Sequence, residues 1–73
     1  MKHFAARFFG QRVDGLIGPT EPHRIIIARS MAQARRTAKA LADQEEWRLV
    51  EVFELRPDER EEFKAWYVNT ITA

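Results

Sequence analysis

The chain has no cysteine, three glycines, three prolines and two histidines among its 73 residues. Each scarcity excludes something. Without cysteine there is no disulfide and no thiolate metal site to staple a small fold, and the absence fits a reducing cytoplasm. His3 and His23 have no H-x-x-x-H spacing, so zinc lacks a ligand set and neither a metal nor a cofactor is expected. Ser30 lies in no G-x-S-x-G elbow and is better explained as a helix cap, so no catalytic residue is expected. The longest aliphatic run, Ile25, Ile26, Ile27 and Ala28, is far short of the ~20 apolar residues of a membrane span. Arg7 splits the apolar stretch of MKHFAARFFG, which argues against a secretory leader. No membrane partner and a cytoplasmic location are therefore expected.

What is present reads as one globular domain over residues 1–73, with 45% hydrophobic and 32% charged residues. A chain this short buries only ~60% of the surface that its unfolded form exposes, so stability rests on a small core or on a partner. The formal net charge of +1 conceals a split. Residues 1–40 hold eight basic against two acidic residues, a formal +6, and residues 41–73 hold four against nine, a formal −5. Two surfaces of opposite sign for partners would produce this, and so would two halves that neutralise each other when folded.

Bulky residues alternate over residues 3–9, with Phe4, Ala6 and Phe8 on one parity, which predicts a strand. GQRVDGLIGPTEP is turn-rich, and Asp14-Gly15 can form a two-residue hairpin turn or lie within a longer loop. RIIIAR, residues 24–29, predicts a strand covered on both faces. Ser30 and Gln33 form an S-x-x-Q capping box that opens a helix through about Ala42. On that helix Met31, Ala34, Ala38, Leu41 and Ala42 share an arc, and Ala32, Arg35, Arg36 and Lys39 occupy the adjoining one. WRLVEVFEL, residues 47–55, is apolar on both parities, as a central strand would be. The C-terminus reads two ways. Pro57, Asp58 and Glu61 resemble a helix start, while WYVNTIT favours a turn at residues 57–62 and then an antiparallel strand over residues 63–71, forming a hairpin with the strand before it.

Several segments weaken on inspection. GQRVDGLIG fails the phosphate-loop pattern, because Leu16 and Ile17 occupy the Lys and Ser/Thr positions. GLIG matches the G-x-x-G clamp of KH domains in form only, since neither central residue is basic. The acidic run at residues 58–62 is either a solvated turn or a phosphate-imitating patch. Trp47, Trp66 and Tyr67 serve either as interface anchors, including those of a homodimer, or as cover for the open face of a thin fold. Phe9 and Tyr67 are the aromatics available to stack bases.

The basic set is the sharpest candidate. Arg24 and Arg29 flank the second strand, and Arg35, Arg36 and Lys39 follow on the helix. Arginine forks suit phosphate and carboxylate alike. The competing reading is that Arg35 and Lys39 pair with Glu51 or Glu54 of the sheet. A pI of about 8.2 is low for a nucleic-acid-binding domain.

The order strand, strand, helix, strand, with SMAQARRTAKALA leading into WRLVEVFEL, resembles small phage and mobile-element accessory proteins, some anti-CRISPR inhibitors among them. The resemblance covers most of the chain and is architectural, so no functional residue is carried over. It implies a non-catalytic inhibitor that docks on a multisubunit nucleoprotein complex.

Together these readings predict a two-layer α+β fold: an antiparallel sheet of three to four strands with one helix on one face, in the order ββαββ or, alternatively, ββαβα. They predict a non-catalytic binding protein whose partner is a protein or nucleoprotein complex. The contacts expected are Arg24, Arg29, Arg35, Arg36 and Lys39. Direct nucleic-acid binding through the same basic strand–helix surface is the alternative.

Overall fold

The computed structural model describes residues 1–11, 15–19 and 23–73. Along the chain lie β1 (Lys2–Gln11), β2 (Ile17–Pro19), β3 (Arg24–Ala28), α1 (Met31–Glu45), β4 (Arg48–Leu55), a 3-10 helix (Lys64–Asn69) and β5 (Thr70–Thr72). The Asp14-Gly15 turn falls partly outside the described residues. β1 is the central strand. On one edge it pairs antiparallel with β4, from His3↔Leu55 to Phe9↔Arg48. On the other it pairs antiparallel with β3 at its N-terminal end and with β2 at its C-terminal end. The fold is α+β, with β1, β2 and β3 before α1 and β4 and β5 after it, which is the expected ββαββ order with the three-residue β2 added.

Alternation along β1 sorts the two faces. Phe4, Ala6 and Phe8 meet Ile26, Ala28 and Val52 under α1, whose Ala34, Ala38 and Ala42 are buried. Alanine at these positions lets the helix approach the sheet closely, because the helix adds only methyl groups to the layer that Phe4, Phe8 and Ile26 fill. Ala5, Ile25 and Leu55 lie on the opposite face, where Phe53, Phe63, Trp66 and Tyr67 pack against them. The three isoleucines of β3 thus have cover on both faces, as their run predicts.

The helix begins where its cap predicts. The Ser30 hydroxyl accepts a 3.2 Å hydrogen bond from the Gln33 amide. The Gln33 side chain reaches one residue further back than a capping box requires, accepting from the Arg29 amide at 2.7 Å. The helix ends at Glu46, whose φ of 59° is left-handed. There the Trp47 amide reaches the Ala42 carbonyl at 2.8 Å and the Glu46 amide reaches Asp43, a Schellman closure without its usual glycine.

Two expectations change. The sheet has five strands and is mixed, because β5 runs parallel to β3, with Ile25↔Thr70 and Ile27↔Thr72, instead of forming a hairpin with β4. Residues 56–69 pass beneath the sheet from β4 at one edge to β3 at the other. A crossover of that length permits parallel pairing, which a tight turn does not. The segment from Phe63 is therefore a 3-10 helix and then a three-residue strand. Among the described residues β4 pairs only with β1, so it is an edge strand and not a central one. Its two-sided apolarity has another cause. Register slips between Arg7 and Phe8, leaving Val50 as the extra residue. That bulge turns Leu49 to the helix face with Val52, while Phe53 and Leu55 face the aromatic strap.

Candidate docking face on the helix

The five basic residues do not form one cluster. Arg24 and Arg29 bracket β3, whose five residues separate them by ~16 Å at the rise of a strand. Arg24 is half-buried, with its guanidinium carbon 5.5 Å from the centroid of the Trp47 ring. Trp47 itself packs on Phe8, with ring centroids 5.4 Å apart, and its Nε1 donates to the Gln11 carbonyl at 3.3 Å. Arg24 therefore belongs to the far end of the sheet. Arg29 stands at the turn into α1, and Arg35, Arg36 and Lys39 line the exposed side of the helix.

These four cations are exposed and none forms an ion pair with a described residue. The internal pairing considered for Arg35 and Lys39 is not made. Glu51 instead accepts from Arg7 across the β1–β4 ladder at 2.7 Å. The acidic run after β4 is also engaged locally: Arg56 contacts Glu59 at 3.2 Å and Asp58 at 3.7 Å, and Lys64 contacts Glu61 at 3.2 Å. Residues 58–62 form a surface turn, in which Glu62 has no ion pair among the described residues.

Charge order along α1 runs against its own dipole. The first turn has no acid and the last turn has no base. Arg35, Arg36 and Lys39 occupy the middle turns, and Asp43, Glu45 and Glu46 crowd the C-terminal end. A helix C-terminus carries a partial negative charge felt within its last turn, so the acids sit at the disfavoured end, while the cations lie beyond the first turn, out of reach of the N-terminal charge. Arg35 and Lys39 at i,i+4 also repel each other along the helix. Sequence reasoning located the cations, and by ending the helix at about Ala42 it left the acids of residues 43–46 in a loop, whereas the helix runs on through Glu45. Their signal was present in the ADQEE that ends the helix.

A second polar cluster lies under the strap. His3 Nδ1 is 2.7 Å from the Tyr67 hydroxyl. Burial lowers the His3 pKa, and the positive charge of Arg60 lowers it further. Burial raises that of Tyr67, against the opposing effect of Arg60. The Nε of Arg60 is buried and makes no hydrogen bond among the described residues. Trp66 packs on His23 at 4.2 Å and on Phe63 at 4.8 Å between ring centroids. The aromatics at the C-terminus thus cover the sheet, and Tyr67 is occupied by His3. Phe9 carries the Arg48 guanidinium 5.2 Å from its ring centroid.

Among the described residues no three His, Asp or Glu side chains converge to hold a metal ion, and no helix is long and apolar enough to cross a membrane. Comparison with protein-family models, with curated proteins and with solved structures finds no match to this chain.

Proposed function

We propose that the protein is a non-catalytic binding module that docks through the exposed side of α1 onto a protein surface, including one within a nucleoprotein complex, in the manner of an anti-CRISPR-like inhibitor. One observation carries the reading. Arg29, Arg35, Arg36 and Lys39 stay exposed and without an ion pair among the described residues, in an order that helix stability does not favour. Exposed charge of this kind does little for the fold and a great deal for the choice and orientation of a partner.

The same face weighs against direct nucleic-acid binding. A phosphate backbone is a continuous polyanion and rewards an uninterrupted positive track. Here Asp43 follows Arg36 by seven residues, ~10 Å along the helix, and Glu45 and Glu46 follow it. A protein surface of mixed charge fits this alternation better. The test is affinity capture with the wild type and with Arg35→Glu/Arg36→Glu, alongside far-UV circular dichroism. Loss of the co-purifying partner with an unchanged spectrum supports the reading, and equal capture by both proteins removes it. A gel-shift titration at low and high salt covers the alternative: salt-sensitive retention of nucleic acid, lost in the same variant, would replace protein docking with nucleic-acid binding.

A further inference from the structure

We infer that the docking face of α1 is self-complementary, and that a second copy of this chain is an occupant it fits. The inference rests on reading α1 as a docking surface and names what sits there. Arg36, Lys39, Asp43 and Glu46 are all exposed. Spacing of three and four residues places Arg36, Lys39 and Asp43 on one side of the helix, and Glu46 follows Asp43 by three at the left-handed residue that ends it. Read from the N-terminus, the stripe is positive, positive, negative, negative. Its length from Arg36 to Glu46 is ~15 Å at the helical rise.

A stripe of this order has a geometric property. Turn a second copy antiparallel about a two-fold axis between Lys39 and Asp43, and each positive residue faces a negative one. Arg36 meets the partner's Glu46, and Lys39 meets the partner's Asp43. The two-fold operation repeats each contact, which gives four complementary pairs from one patch, as isologous interfaces do. The parallel arrangement sets like charge against like and is rejected. Lys39 and Asp43 are spaced to pair within one helix, and they do not make that ion pair in the monomer, so all four groups are available to a partner. Ala32 lies on the same side of the helix, with only a methyl group to hold a second helix away.

The interface is small and mostly charged, far from the apolar patch of an obligate dimer. Association is therefore weak and reversible, with a dissociation constant of ~100 μM or above, and it is screened by salt. A weak self-complex on the docking face keeps that face covered at high concentration and releases it when a better-matched partner competes.

Sedimentation equilibrium of the full chain, up to ~1 mM protein at low ionic strength, tests this. Wild type is expected to dimerise in a salt-sensitive way. Arg36→Glu/Lys39→Glu makes the stripe wholly negative and Asp43→Lys/Glu46→Lys makes it wholly positive. Each variant alone should weaken association by at least about tenfold. Mixed together they should form a one-to-one heterodimer, and the fourfold variant carrying all the exchanges should dimerise again. Circular dichroism confirms that each variant is folded. A wild type monomeric throughout, or half-reversed variants that do not associate when mixed, overturns the inference. Neither result touches the capture experiment above, whose failure is read separately from loss of a foreign partner by Arg35→Glu/Arg36→Glu.

Discussion

Replacing Gly10 with alanine tests how the far end of the sheet is built. A Cβ at this position would stand 2.6 Å from Trp47 Cδ1 and 3.3 Å from both its Cα and its Cγ. Ordinary carbon contacts begin near 3.4 Å, so the indole must retreat by about 0.8 Å. It cannot do so freely, because its other surfaces hold the Phe8 ring, the Gln11 carbonyl and the Arg24 guanidinium. Overpacking of this kind costs roughly 1–3 kcal/mol, and losing the indole hydrogen bond adds about 1 kcal/mol. The expected loss is about 2–4 kcal/mol. In a domain of this size that lowers Tm by roughly 8–32 °C, read by far-UV circular dichroism. Gly15→Ala is the control. It has open space around its Cβ but a φ of +86°, so it should cost only the left-handed backbone term, about 1–2 kcal/mol. A Gly10→Ala protein melting within about 2 °C of wild type would refute the packing argument. So would a double variant with Trp47→Leu in which the alanine still costs its full amount, since contacting sites should be non-additive.

Two further outcomes follow from local features. His3 has a pKa in the fold below its ordinary value of 6.5, so its contribution to stability is complete above that value and is lost as pH falls through the folded pKa. Tyr67 shifts upward from 10.0, and its contribution is complete below that value and lost as pH rises through the folded pKa. Urea midpoints should therefore be flat between about pH 7 and 9.5 and fall on either side. His3→Gln should flatten the limb just below neutrality, and an unchanged slope there would reject the assignment. Glu46→Gly removes a left-handed non-glycine residue and an acid from the negative end of α1. After the entropic penalty of glycine the net gain should be about 1 kcal/mol, seen as a higher urea midpoint. A lower midpoint would show that Glu46 makes a stabilising contact in the monomer.

Legibility in the sequence followed the range of the interaction. Strands β1 and β3 and the start of α1 were readable because alternation, β-branching and the Ser30 cap act within a few residues. The place of β4 in the sheet was not, because the bulge at Val50 changes parity in mid-strand and imitates a strand buried on both faces. The C-terminus was ambiguous for a related reason. Phe63, Trp66 and Tyr67 at 3-10 spacing face the sheet, and the same aromatic content favours a strand. The parallel pairing of β5 depends on where the whole crossover lands, which no local pattern encodes. The basic set failed in one member. Arg24 opens β3 and Arg29 follows its last residue, so the two stand at opposite ends of the strand, ~16 Å apart at its rise.

The contrast between the two polar regions bears on where function resides. Under the strap, polar groups find partners within the fold, His3 with Tyr67, Arg56 with Glu59 and Lys64 with Glu61, the buried Arg60 Nε being an exception among the described residues. Those contacts explain their residues without a partner molecule. Along α1 the core face satisfies every local rule, with alanines buried and a capped start. The exposed face breaks several rules together: Arg35 and Lys39 set like charges at i,i+4, acids stand at the negative end of the helix, and Glu46 adopts a backbone conformation suited to glycine. None of these departures gains an ion pair among the described residues of the monomer. A sequence agrees with its fold at most positions, and departures without compensation collect where something other than folding is served. Solubility alone asks for mixed charge and not for this order, since the reverse order would dissolve as well and hold the helix better. The order itself is therefore what the docking reading explains, and exchanging it end for end is the perturbation to which that reading is most exposed.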